Sequence, residues 1–410
     1  MDIKNNMREG FKDLQGGLFA SVHKADVGNA VSDLMKRGVD LMCWADPFFP
    51  DLVIPQNVKQ SVIDSIDKGM ATHYTMPIGN SDLKQAIAVK LQEDNHMSVD
   101  PDRNILITPG SDSGLMFAMM PFIGEGDEVL IPAPSYPSNF LNPKLLGGIA
   151  VPVPLKEENN YQIEIEEFEK RVSPQTKMVL LTNPNNPTST VLRRDSLEKI
   201  AKFVIEHDLV LVVDQAFEDA IYDDIEFVSI ATLPGMWERT ISVFSISKGM
   251  GLSGFRVGYL VADDKIIDVL YGCTVNVIGA TNTSAQIGAI AAMKDRSFVK
   301  EYNAIFDRRR KAVYEIMNSI PGVSMAMPES GFLSWVNISK LGTSAEISKY
   351  LIDHANVVVN EGTPYGVGGE GYIRIVHGCY KDDNVLYAAL ERIKQALIQL
   401  DIDKGVAAHG

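Results

Sequence analysis

In Ser245-Ile246-Ser247-Lys248-Gly249-Met250-Gly251-Leu252-Ser253-Gly254-Phe255-Arg256-Val257-Gly258 a lysine lies between hydroxyl side chains, and an arginine follows among glycines. A lysine amine can form an imine with a carbonyl, serine hydroxyls donate to phosphate oxygens, and an arginine grips phosphate through two parallel hydrogen bonds. The grouping suits an anionic cofactor. Any one of these lysines or serines reads equally well as a solvated strand end, so the spacing of the whole stretch carries the argument.

Other residues add chemistry at similar points of the chain. Asp214 ends the apolar run Leu209 to Val213, where a carboxylate is costly without a positive partner. Arg374 is a charge inside the apolar strand Tyr372 to Val376. Thr108-Pro109-Gly110-Ser111-Asp112-Ser113-Gly114 opens a helix whose free N–H groups favour an anion, and Asn183-Pro184-Asn185-Asn186-Pro187-Thr188 is strong turn chemistry. Tyr136, in Pro134-Ser135-Tyr136-Pro137, is either a packing residue or a ring available for stacking.

Those loops follow strand-sized apolar runs at Ile105–Ile107, Glu128–Ile131, Ala150–Val153, Met178–Leu181, Leu209–Val213, Ile241–Phe244 and Val257–Val261. Runs apolar on both faces belong to a sheet covered by helices on both sides, which predicts a mostly parallel α/β sheet of seven strands with ligands at its carboxyl edge. Amphipathic periodicity predicts helices over Val27–Arg37, Val58–Lys68, Ser81–Glu93 and Asp195–His207, the last capped by Asp195. Helical pattern then dominates from Asp263 to Ile320, where Arg308-Arg309-Arg310-Lys311 reads as a solvated face. Strand signals at Val323–Met327, Phe332–Ile338, Val357–Val359 and Tyr372–Val376, with helices over Ala345–His354 and Asn384–Leu400, predict a smaller α+β domain.

Composition narrows the function classes. With 38 Lys+Arg against 53 Asp+Glu, the net charge of −15 repels nucleic acid and anionic membranes. Cys43, Cys273 and Cys379 have no CxxC spacing, which argues for a reducing compartment. No apolar core follows a basic head in Met1 to Asn6 and no run approaches a membrane span, so a cytoplasmic protein is expected. The histidines lack HxxxH or HExxH spacing and no metal is expected. The glycine-rich Gly366 to Gly371 precedes a strand instead of joining strand to helix, so no nicotinamide site is expected there.

From Tyr74 to Arg374 these segments, in this order, resemble pyridoxal-phosphate (PLP) enzymes of fold type I, specifically aminotransferase class I/II, the aspartate aminotransferase-like superfamily. The resemblance implies an N-terminal segment (1–49) packing with the small domain, a large PLP-binding domain (50–295) and a small C-terminal domain (296–410). It implies that Lys248 binds PLP as an imine and moves protons, and that Asp214 keeps the pyridine nitrogen protonated. Ser111 and Asp112 would line the phosphate cup with Ser245, Ser247 and Arg256, Tyr136 would stack on the ring, and Asn186 would bond its O3′. Arg374, with Asn186 and Ala45 nearby, would take the substrate carboxylate. Tyr74 would reach the neighbouring subunit's phosphate, implying a homodimer.

Three positions depart from the family pattern: Phe217 replaces a tyrosine that shares O3′, Ser189 replaces a glycine, and Ala45 stands where glycine is common. The implied reaction carries the amine of an amino acid to a 2-oxo acid. A PLP lyase or decarboxylase of the same fold is the alternative, and related PLP-binding regulators carry a DNA-binding module not visible here. The side-chain pocket is expected near Phe19, Ala45, Tyr136 and Val277–Thr283. No arginine lies between Lys265 and Ala292, which leans away from an aspartate specialist.

Overall fold

The computed structural model describes residues 7, 8, 11 and 27–409. After a helix at Val27–Lys36, the short strand β1 (Asp40–Leu41) leads into the helices Gln56–Asp67 and Ser81–Asp94. Seven strands follow: β2 (Ile105–Thr108), β3 (Glu128–Ala133), β4 (Ile149–Pro154), β5 (Thr176–Thr182), β6 (Val210–Asp214), β7 (Thr240–Ser245) and β8 (Gly258–Val261). They form one sheet in the order β2-β8-β7-β6-β5-β3-β4, parallel except for β8. Every residue of β2 and β7 is buried, because helices cover both faces, with one apolar cluster on one face and two on the other.

The register sets the site. Asp214 pairs across from Thr182 on one side and Val243 on the other, and Ser245 pairs with Gly258, which also faces Thr108. The ends of β2, β5, β6 and β7 therefore share one edge. Because β8 runs antiparallel, its first residue lies at that edge too, and Arg256 just before it is delivered to the same place.

The rest of the chain builds a second core. The helices Ser297–Asn318, Ser344–Ala355 and Asp383–His409 pack with β9 (Leu333–Asn337) and β12 (Tyr372–Val376), which form an antiparallel sheet with β11 (Asn360–Glu361). The strand β10 (Val357–Val358) pairs in parallel with β1, so the chain near residue 40 is tied to this second core.

Three expectations are corrected. The helix Arg194–Glu206 starts one residue early, with Arg193 at the N-cap and Asp195 in its first turn. Val323–Met327 is not a strand; it contributes the single bridge Ser324 to Asn337, since the next residue, Met325, gives its backbone N–H to Asn318 Oδ1 and its carbonyl accepts from Asn318 Nδ2. The basic run is only half solvated. Arg308 and Lys311 are half exposed, but Arg309 and Arg310 are fully buried. Arg309 bonds Asp383 and the carbonyls of Cys379 and Tyr380, while Arg310 forks onto Asp223, bonds Asp307 and stacks on Tyr222. A guanidinium has enough donors to saturate such carbonyl-rich niches, which is why the helix can bury it.

Removing one member of a buried ion pair leaves the other uncompensated. Arg309→Met, which keeps the volume but no donor, is expected to cost about 3 kcal/mol, the low end of the usual range because Asp383 retains some exposure. Urea denaturation of the two proteins measures this, and an unchanged midpoint would contradict the structural assignment.

Candidate active site

Lys248 lies just past the end of β7, largely buried, and its Nζ donates to the carbonyl of Ala45 at 2.6 Å. Burial pushes its amine below the ordinary value; Arg374 and Arg256 push the same way, against Asp112 and Asp46. The ring of Phe217 lies 5.9 Å from Nζ and packs edge-on against Phe332. Phe217 thus presents an apolar wall with no hydroxyl donor.

Asp214 ends the neighbouring strand, 6% exposed. It accepts the backbone N–H of Ala216 at 3.1 Å, and no lysine or arginine hydrogen-bonds it among the described residues. Burial pushes its carboxyl up to about 7; the Ala216 N–H and Lys248 lower it and Asp112 raises it. A carboxylate in this position lacks a cation, and a protonated ring nitrogen would supply one.

The anion cradle is built from backbone. The helix Ser111–Met119 begins on Gly110, which offers no side-chain cap to the first N–H groups. A Cβ on Gly110 would meet Arg256 NH2 at 2.4 Å, and one on Gly258 would meet Ser111 N at 2.7 Å. Only glycines allow the guanidinium, the helix start and β8 to close on one another. Ser245 Oγ accepts from Ser247 N at 3.1 Å, and Arg256 reaches Ser247 Oγ at 3.5 Å. Asp112 turns its carboxylate to Arg256 NH2 at 3.3 Å and to Tyr136 OH at 3.2 Å, so its side chain flanks the cradle. The buried, cation-free carboxylate and this glycine-lined cradle fit the ring nitrogen and phosphate of PLP.

Arg374 is 1% exposed on β12 and donates from NH1 to Asn186 Oδ1 at 3.0 Å. With its oxygen turned to Arg374, Asn186 directs its amide N–H groups the other way. Arg374 also bonds the Cys43 carbonyl and Asn360, and lies 5.2 Å over the ring of Tyr365. Cys43 and Ala45, two residues apart, thus cap Arg374 and Lys248 with their carbonyls.

The structure brings together Ala45, Ser111, Asp112, Tyr136, Asn186, Asp214, Ser245, Ser247, Lys248, Arg256 and Arg374. Tyr74 is not among them: it is 95% exposed, with no hydrogen bond to this group. Phe19 lies outside the described residues. The sequence reading missed Cys43, Asn360 and Tyr365. Of these only Asn360 carried a signal, an amide closing the apolar run Val357 to Val359.

A seven-stranded, mostly parallel sheet with a largely buried lysine, a buried acid and a glycine-lined cradle at its carboxyl edge suits amino-group chemistry on an anionic cofactor. Residues 46–393 match the family described as aminotransferase class I and II. The chain is 36% identical to an aspartate aminotransferase of Pyrococcus abyssi over 91% of its own length and 94% of that protein. It is 35% identical to aromatic-amino-acid aminotransferase 2 of Thermococcus litoralis, covering 85% and 90% of the two chains. A solved aromatic aminotransferase from Pyrococcus horikoshii superposes with a TM-score of 0.83 at 35% identity, over 90% of this chain and 99% of that one. The chain belongs to the class I and II aminotransferases, a family of PLP enzymes. It is an aminotransferase, the first of the two reactions weighed from sequence.

The raised Asp214 pKa has a pH signature in cofactor-free protein. The folded state holds this proton more tightly than the unfolded state, so the cost of ionising it is absent below the ordinary value of 3.8 and complete above about 7. Asp214→Asn is therefore expected to stabilise the cofactor-free protein at pH 8, by up to roughly 4 kcal/mol, and not at pH 4. Urea midpoints at the two pH values measure it; a pH-independent difference would contradict the assignment.

Proposed function

We propose that the protein is a PLP-dependent enzyme that moves the α-amino group of an amino acid to a 2-oxo acid, with Lys248 as its covalent anchor and proton carrier. The observation that carries this reading is Asp214, a buried carboxylate with no hydrogen-bonding cation among the described residues, beside a lysine whose amine burial has pushed down. When bound, PLP supplies an electrophilic aldehyde and a ring that accepts the electrons left at the substrate Cα.

The protein's residues divide the remaining work. Asp214 would keep the ring nitrogen cationic, and Asn186 would donate to O3′. The backbone N–H groups of Ser111 and Asp112, with Ser245, Ser247 and Arg256, would hold the phosphate, while Tyr136 would cover the ring face. Arg374 binds the α-carboxylate beside Asn186 and the Ala45 segment. Once free, the Lys248 amine takes the proton from Cα and returns it on the far side of the transfer; its depressed pKa suits it to act as a base near neutrality.

The donor is the open variable. Relatives named for aspartate and for aromatic amino acids both share the scaffold, so a screen pairing acidic, aromatic and small donors with 2-oxo acids is the direct test. A new amino acid is expected to appear in one-to-one proportion to the oxo acid consumed. Release of ammonia or carbon dioxide without transfer would overturn the reading. Lys248→Ala is expected to lose at least about 10²–10⁴-fold in rate, and borohydride treatment of the loaded enzyme should fix PLP on Lys248 by mass.

The same reading divides the chain into an N-terminal segment (1–49), a large domain (50–295) and a small domain (296–410), supported by β1 pairing with β10 and by the separate core of the last hundred residues. It also makes the enzyme a homodimer. Leu52, Ile66, Tyr74, Met76 and Val277 are each more than half exposed, an apolar face that a second copy would cover while receiving Tyr74 at its phosphate. The free cysteines fit a cytoplasmic setting, and no described helix is long and apolar enough to cross a membrane. Sedimentation is expected to show a dimer, and Leu52→Lys to yield monomers that lose both activity and PLP affinity. An active monomer would refute the shared site.

A further inference from the structure

The guanidinium proposed to bind the substrate carboxylate is fixed before any substrate arrives. Arg374 and Asn360 are direct cross-strand partners on β12 and β11, so the sheet itself puts their side chains side by side. Asn360 Oδ1 accepts two of the arginine's N–H groups, from Nε at 3.1 Å and from NH2 at 2.6 Å. NH2 also donates to the Cys43 carbonyl at 3.0 Å, and NH1 to Asn186 Oδ1 at 3.0 Å. Beneath the plane, the ring of Tyr365 lies 5.2 Å from the guanidinium carbon.

A guanidinium has five N–H donors in a rigid plane. Here the Nε edge is closed by one oxygen, and one flat face is closed by the Tyr365 ring. Four of the five N–H groups are engaged, so a carboxylate meets Arg374 at its NH1/NH2 end, through the remaining N–H of NH1 and the N–H that NH2 otherwise gives to the Cys43 carbonyl, beside Asn186. We propose that Asn360 is a positioning residue for the reaction, closing the Nε edge of Arg374 so that amino acid and oxo acid are both presented end-on to Lys248, with Tyr365 as the floor that fixes the orientation of the guanidinium plane. This rests on the reading of Arg374 as the carboxylate site.

Among the described residues the buried Tyr365 hydroxyl has no hydrogen-bond partner, and what Tyr365 offers Arg374 is its ring face. The cation–π contact depends on that aromatic face. Asn360 works through an uncharged acceptor. An aspartate of the same shape would neutralise Arg374 and compete with the substrate for it.

Steady-state kinetics of the PLP-loaded dimer test this with three variants. Asn360→Leu is expected to raise KM for the amino donor and the oxo acid together, by about tenfold, the worth of a hydrogen bond to a charged group, with kcat changed much less. Asn360→Asp should raise both further. Tyr365→Leu should raise both KM values. A readout independent of turnover is the dissociation constant of the α-methyl analogue of the working donor, which keeps the carboxylate but has no Cα proton; it should weaken in parallel while the absorbance of bound PLP stays unchanged.

Arg374→Lys separates the two levels of inference. If it leaves both KM values intact, the carboxylate reading of Arg374 fails. If it raises them and Asn360→Leu and Asn360→Asp do not, only the positioning role fails. A fall in kcat alone for the Asn360 variants would also overturn it. Should Asn360→Leu not fold, Asn360→Asp carries the same test, since it alters charge and not shape.

Discussion

The site depends on charges held out of water at adjoining strand ends. Asp214 on β6 is buried and Lys248 after β7 largely so, and burial pushes each toward its neutral form, the carboxyl up to about 7 and the amine down. Among the described residues neither makes a direct ion pair that would satisfy it. Asp214 has a backbone N–H and Lys248 has a backbone carbonyl. Neutral partners of this kind hold a side chain in position without cancelling its charge, which leaves both groups available to a ligand. Elsewhere the protein does the opposite: Arg309 and Arg310 are as deeply buried but fully committed to Asp383, Asp223 and main-chain oxygens. The contrast separates a buried charge kept for chemistry from one used as structure.

The single antiparallel strand explains how so many groups converge. In a wholly parallel sheet the chain entering β8 would lie at the opposite edge from the ends of β2, β6 and β7. Reversal brings Gly258 level with both Thr108 and Ser245, and the residues just before it, including Arg256, close the cradle. Arg256 itself has a φ of 50°, a left-handed conformation few residues adopt, stabilised by its bonds to Ser253, Ser247 and Asp112. The glycines at 110 and 258 are needed for the same convergence, since a Cβ at either would occupy space taken by the guanidinium or by the start of the helix.

Much of this was legible in sequence because it depends on local signals. Apolar runs marked all seven strands of the sheet, and the loops after them carried the residues now found together. What escaped was long-range. Arg309 and Arg310 sit in a run of four basic residues, and their burial depends on partners far along the chain: the carbonyls of Cys379 and Tyr380 for Arg309, and the carboxylate of Asp223 for Arg310. Val323–Met327 has the composition of a strand, but only Ser324 finds a bridge partner, and hydrogen bonding across the sheet decides the assignment. Cys43 and Tyr365 could not have been found: one acts through its main-chain oxygen, which every residue possesses, and the other through a ring that an apolar core would also hold.

The segment Cys43–Asp46 joins these levels. Its neighbour β1 is paired to β10, and so belongs with the second core, yet its carbonyls reach Arg374 on β12 and Lys248 beyond β7, and Asp46 bonds Ser253. A main-chain oxygen fixes a donor's direction with no side chain that substitution could remove, so the constraint is on the path of the backbone more than on the residue types. Ala45, where the family commonly has glycine, satisfies that constraint because the carbonyl at this position makes the contact with Lys248. The departure at 45 therefore leaves the contact that holds the lysine as it is.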